Sequence, residues 1–183
     1  EFNGESIFEV AFIDKGDDAF NWGYTGDGAN EAQSTSRSQE YNPVAWRNLI
    51  PSNTYLNNFE HTDTGAEKTD PRLGMSVYMT GDTFNDGQET LTAAMQNGNA
   101  SQLHGETIKI SWKKYMLLYK LGSDEAQNVF RGNNHRMIRY AEVLLNMAEC
   151  ENEEGNIPAA LGYLNQVRNR PSVDMPEYPT SQY

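Results

Sequence analysis

The stretch from Ile138 to Asn169 constrains this chain more than any other. Ile138, Ala141, Leu145 and Ala148 recur at intervals of three, four and three, the period of one helix face. Gly155 stands where a left-handed glycine ends a helix, and Pro158 falls in the first turn of a second. The second stripe is Ala160, Leu164 and Val167, with Leu161 alongside. Two amphipathic helices joined by a few residues hide both stripes by folding back antiparallel. The pattern predicts helices over 135–151 and 158–169, with Ala141, Leu145, Ala148, Leu164 and Val167 facing inward. Arg139, Tyr140 and Glu142 are then expected to pack the hairpin on its neighbours. One hairpin leaves its outer faces bare, so it points to an array of such pairs, although no second copy occurs in the chain. An exposed apolar patch is the corollary.

The remaining segments are shorter and more polar. Residues 5–13 are rich in β-formers and precede the Asp- and Gly-rich run 14–40, so they read as a strand followed by a long loop. A short helix is expected over 53–59. Asp70 before Pro71 marks a second helix start, with Asp70 as its cap. Residues 75–79 read as a strand, 82–105 as a loop, and 106–121 as a strand carrying Ile108, Ile110 and Trp112. Residues 1–133 are thus a loop-rich region with short strands, 134–170 a helical hairpin and 171–183 an extended tail. The fold class is mainly α with irregular loops and a few short strands.

Charge removes two classes of partner. Fourteen Lys and Arg face 26 Asp and Glu, a formal net charge of −12. Nucleic acid and anionic membrane surfaces both need basic clusters, so neither is an expected partner. No run of apolar residues is long enough to span a bilayer. The first residues have neither a basic nor an apolar targeting region. Catalytic signatures are equally thin. Gly-x-Ser-x-Gly is absent, and the single cysteine, Cys150, lies in the predicted helix over 135–151, where it reads as a small buried hydrophobe. His61, His104 and His135 lack zinc-ligand spacing. The run from Asp82 to Gly87 opens like a calcium loop but has Phe84 at its third position and Ala93 at its twelfth. No metal and no cofactor is expected, and no carboxylate pair stands out for acid–base work.

One compositional feature points to a ligand. Phe20, Trp22, Tyr24, Tyr41, Trp46, Tyr55 and Phe59 lie within 40 residues, a density above the 11% of the whole chain. They are set among Gly, Asn, Asp, Ser and Gln rather than aliphatic residues. Flat apolar faces beside hydrogen-bonding groups suit sugar rings, and they suit protein contacts as well. Trp22, Tyr24 and Trp46 are the leading candidates for ligand contact, with Tyr41 and Tyr55 behind them. Asn21, Asp27, Asn30 and Asn42 are expected to add hydrogen bonds.

The helical hairpin also carries a resemblance. Residues 139–145 (Arg-Tyr-Ala-Glu-Val-Leu-Leu), followed by Ala148-Glu149, resemble the signature helix of the SusD/RagB family, and Leu164-Asn165-x-Val167-Arg168-x-Arg170 resembles the segment after it. Weaker matches precede them in order: residues 5–10, Asp70-Pro71-Arg72-Leu73 and Lys113-Lys114-Tyr115. Pro171-Ser172 departs from the family's usual Ala-Gly. The resemblance implies tetratricopeptide-like helix pairs and a cell-surface lipoprotein of the outer membrane. Such a protein binds an oligosaccharide or polysaccharide, sits as a lid on a TonB-dependent transporter and catalyses nothing. The chain is expected to be an interior-to-late piece of a longer protein, with the implied lipid anchor expected to lie outside it. A protein-binding helical scaffold and a glycosidase domain are the rival readings.

Overall fold

The computed structural model describes residues 4–12, 40–60, 70–98, 109–114, 116–124 and 132–179. The chain divides into two compact units, one formed by Glu1–Val10, Glu60–Arg72 and Asn134–Tyr183 and the other by Ala11–Phe59 and Leu73–Asn133.

The first unit begins with strand β1 (Ser6–Val10), which pairs antiparallel with His135–Arg139, strand β6. The pairing is irregular, with Phe8 opposite Ile138 and Val10 opposite His135. Glu9 anchors it: its carboxylate accepts from Ser6 Oγ at 2.7 Å and Asn134 Nδ2 at 2.8 Å, with Arg136 Nε 3.4 Å away. Helix α3 (Tyr140–Glu153) follows directly, and α4 (Ile157–Arg168) packs against it. The turn between them is a Schellman cap. Asn156 N–H reaches back to the Glu151 carbonyl at 2.8 Å and Gly155 N–H to Asn152 at 3.0 Å. Gly155 has φ +78°, the left-handed value its position predicts.

The hairpin starts later than expected, and its buried face is rotated. Residues 135–139 pair with β1 instead of opening the helix, because tertiary pairing overrides a local periodicity this short. Ile138, no longer helical, is 42% exposed, and Leu145 is 43% exposed. The stripe that starts at Ala141 runs instead through buried Leu144 to half-buried Ala148. On α4, Ala160 is buried while Leu164 and Val167 are half-buried. Tyr140 and Glu142 are exposed, so the described residues do not give them the packing role expected. Cys150 is exposed, not buried. Large apolar side chains stand in solvent on this unit: Ile7, Phe8, Val10, Met137, Leu145 and Ile157. We therefore expect Leu144→Ala to lower unfolding free energy by about 2–3 kcal/mol. Leu145→Ala should stay within about 0.5 kcal/mol of wild type. Urea titration of both variants checks the pair.

After α4 the chain does not run free. Val173 and Met175 are buried, and α4 holds the tail along one face. Arg168 Nε donates to the Pro176 carbonyl at 2.7 Å. Asn165 makes two hydrogen bonds with the Tyr178 backbone: Tyr178 N–H donates to its Oδ1 at 2.7 Å, and its Nδ2 donates to the Tyr178 carbonyl at 2.9 Å.

In the second unit, α1 (Asn53–Asn57) is capped by Ser52, whose Oγ accepts from Tyr55 N–H. Helix α2 (Pro71–Ser76) starts in the first unit's Glu60–Arg72 segment and continues into the second unit from Leu73; it begins as Asp70-Pro71 predicts, with Asp70 Oδ1 accepting from Arg72 N–H at 2.9 Å, and it takes in Met75 and Ser76, which the sequence assigns to a strand. Strand β2 (Val77–Met79) pairs antiparallel with β5 (Ile110–Trp112), placing Val77 opposite Trp112 and Tyr78 opposite Ser111. Of the long strand expected over 106–121, Ile110–Trp112 is strand and Leu118–Lys120 a 3-10 turn.

The expected loop after Asp82 contains a small hairpin, β3 (Thr83–Phe84) with β4 (Glu89–Thr90). Asn85, Asp86 and Gly87 all have positive φ, which is the backbone such a tight reversal needs. Its core is Tyr78, Phe84, Leu91 and Leu118, each about fully buried, with Val44 and Met95 packed against it. Burial pushes the Tyr78 phenol up to about 12, so the ring stays neutral in this core.

Candidate functional site

The second unit carries a group of half-buried aromatic side chains outside its core. Tyr55 sits on α1, where the Ser52 cap fixes its backbone. Its ring meets Phe59 edge-on, with centroids 5.1 Å apart and planes at 90°. On its other side it meets Trp112 at 5.2 Å and 58°. Edge and tilted contacts of this kind are favoured by the ring quadrupoles. Trp112 is placed by the β2–β5 pairing, at the end of a strand whose Ile110 and Ser111 are buried. All three rings keep part of their surface in solvent.

Trp46 and Tyr41 are also half-buried in this unit. They lie on a segment closed by Glu40 and Asn48. Asn48 N–H donates to the Glu40 carbonyl at 2.8 Å, and Asn48 Nδ2 donates to the Glu40 carboxylate at 2.5 Å. Asn42, expected to face ligand, is instead buried. Its Oδ1 accepts from Val44 N–H at 3.0 Å and shapes the turn. Trp22 and Tyr24, with Asn21, Asp27 and Asn30, lie outside the described residues.

The structure thus joins Tyr55, from the candidate set, to Phe59 and Trp112, which the sequence reading left out as ligand residues. Phe59 belongs to the aromatic run of the sequence. From sequence Trp112 reads only as a strand residue, because its alternation with Ile110 reads as core and nothing local pairs it with a residue 57 positions earlier. Chemically the group offers apolar ring faces and edges. Among the described residues no group of three or more His, Cys, Asp and Glu gathers to hold a metal. The Asp82–Gly87 run is the hairpin turn already described.

Among the described residues, a charge cluster in the first unit is internally satisfied. Arg168, buried, meets the Glu60 carboxylate with Nη1 at 2.6 Å and Nη2 at 3.0 Å. Arg72 binds Asp70 at 2.6 Å and reaches Glu60 at 3.3 Å. The Arg168 hydrogen bonds hold the Glu60 carboxyl below its usual range, against the opposing effect of burial. For Asp70, burial pushes up, but the bonds from Arg72 and from Glu60 N–H outweigh it and the net shift is downward. This cluster fastens chain segments and presents no open ligand position.

Comparison with known proteins bears on the fold. The model of the SusD family matches residues 4–183. A solved SusD-like protein from Bacteroides fragilis NCTC 9343 superposes with a TM-score of 0.60 at 20% identity, over 98% of this chain and 38% of that one. A SusD superfamily protein from Bacteroides vulgatus ATCC 8482 gives 0.58 at 24% identity, over 97% and 34%. The chain therefore spans under two-fifths of the length of these relatives, and the likeness is one of fold. No curated protein matches the chain.

Proposed function

Because the chain belongs to the SusD family, we propose that it is part of a cell-surface glycan-binding lipoprotein of the outer membrane. In this reading it captures an oligosaccharide or polysaccharide and passes it to a TonB-dependent transporter. Attachment to the membrane is through a lipid anchor, and no helix among the described residues is long and apolar enough to cross one. The role is binding, not catalysis. Helices α3 and α4 are read as one pair of a tetratricopeptide-like array.

The observation that carries the proposal is the half-exposed contact group Tyr55–Phe59–Trp112. Rings held in place by a capped helix and a strand lose little freedom when a sugar face stacks on them. Trp46 and Tyr41 extend the proposed surface, together with Trp22 and Tyr24. Calorimetric titration with cello-, malto-, xylo- and manno-hexaose tests the binding role. Heat that saturates with at least one of them is the expected result, and silence with all four argues against it. Incubation with the matching polysaccharides, followed by assay for reducing ends, separates binder from glycosidase.

The second reading, a protein-binding scaffold, draws on the exposed Ile7, Phe8, Met137 and Leu145 of the first unit. It predicts no response to any glycan.

A further inference from the structure

Arg47 follows Trp46 directly and is completely buried in the second unit. Its backbone has φ +48°, a left-handed conformation that a non-glycine residue keeps only where its surroundings hold it there. The side chain supplies that hold. Nε donates to Ser111 Oγ at 2.8 Å and Nη2 to the Ile110 carbonyl at 2.7 Å, both on β5. Nη1 points to the Gln96 carbonyl at 3.5 Å. Ser111 Oγ in turn donates to Gln96 Oε1 at 2.8 Å, and Gln96 Nε2 donates to Thr80 Oγ1 at 3.0 Å. Gln96 and Ser111 are as fully buried as Arg47.

The backbone is confined from another side by Gly98. A Cβ there would lie 2.6 Å from Arg47 Cβ and closer still to the Trp46 carbonyl oxygen. A side chain at 98 would displace the segment that carries Trp46. A methionine at 47 would fill similar volume without desolvating a charge. What the guanidinium adds is direction, because its planar fork aims separate N–H groups at separate acceptors.

We infer that Arg47 is a positioning residue that ties the Trp46 segment to β5, so that Trp46 and Trp112 are carried on one rigid frame. The inference rests on the reading of these aromatics as a glycan-binding surface. It adds that the surface depends on a buried group that touches no ligand.

Two measurements test it. The first needs no ligand: with Trp22→Phe and Trp112→Phe in place, Trp46 is the sole tryptophan and is excited selectively at the red edge of its band, where tyrosine does not absorb. Arg47→Met in that background should raise acrylamide quenching of Trp46 clearly while far-UV circular dichroism is unchanged. Arg47→Lys should give an intermediate value. The second is calorimetry with whichever of the four hexaoses binds wild type. Arg47→Met should weaken it roughly tenfold, about 1.4 kcal/mol. Where Arg47→Met does not fold, Ser111→Ala, which removes one acceptor, should move both readouts in the same direction. Quenching equal to wild type in folded Arg47→Met, or in Ser111→Ala where Arg47→Met does not fold, overturns the inference. Full affinity in that same variant, with Trp46→Ala weakened, overturns it alone. Full affinity in Trp46→Ala overturns the reading of the surface and the inference with it.

Discussion

Arg168→Ala is expected to destabilise the first unit by about 3 kcal/mol. Removing one partner of a buried ion pair costs about 3–5 kcal/mol, because the other charge is left uncompensated. The lower end applies here, since Glu60 keeps 22% of its side chain exposed while Arg168 keeps 8%. The loss also frees the Pro176 carbonyl and leaves Glu60 with Arg72 alone. Glu60 and Asp70 both have carboxyls lowered by folding. A lowered carboxyl stabilises the fold at pH above its unfolded value of about 4, and that contribution is lost as pH falls through the folded value. Wild-type stability should therefore decline as pH drops below about 4. Arg168→Ala should decline less steeply over that window, because the bonds that hold Glu60 down are gone. Urea titrations at pH 7, 4 and 3 measure both effects. Equal acid sensitivity in the two proteins contradicts this account of the cluster.

Phe84→Ala should cost the second unit about 3–5 kcal/mol. Phe84 is 1% exposed and packs with Tyr78, Leu91 and Leu118, the small cluster on which the β3–β4 hairpin closes. Removing a fully enclosed ring leaves a cavity that the surrounding side chains fill only in part. Phe84→Leu keeps most of the volume and should cost less than about 1.5 kcal/mol. Thermal unfolding followed by near-UV circular dichroism distinguishes the two. Similar losses for both would mean that ring shape, not volume, is what the site requires.

The readable parts of this fold are the ones written in neighbouring residues. Asp70-Pro71, Gly155 and Pro158 each mark a helix end through local chemistry, and each does so where expected. The parts that were not readable depend on partners far along the chain. Residues 135–139 pass for a helix start until β1, more than a hundred positions earlier, pairs with them. That pairing removes Ile138 from the helix and turns the buried face from Leu145 to Leu144. Arg168 reads as a terminal helix cation until Glu60 and Pro176 meet it. The same holds for the aromatic surface. A run of rings in polar sequence was visible and included Tyr55 and Phe59, but the contact between Tyr55 and Trp112 joins α1 to β5 and has no local trace. Arg47 gave no signal, because a basic residue in a polar segment reads as solvated until its burial is known.

Glycan binding by the Tyr55–Trp112 group, as proposed above, is read out by one titration series. Wild type, Tyr55→Ala and Trp112→Ala are each titrated with the hexaose that wild type binds, after circular dichroism establishes that both variants fold. Truncating a central aromatic of an interface costs about 2 kcal/mol or more, roughly 30-fold in affinity. A loss of that size is expected for Trp112→Ala and a loss in the same direction for Tyr55→Ala. Wild-type affinity in both folded variants would contradict the proposal.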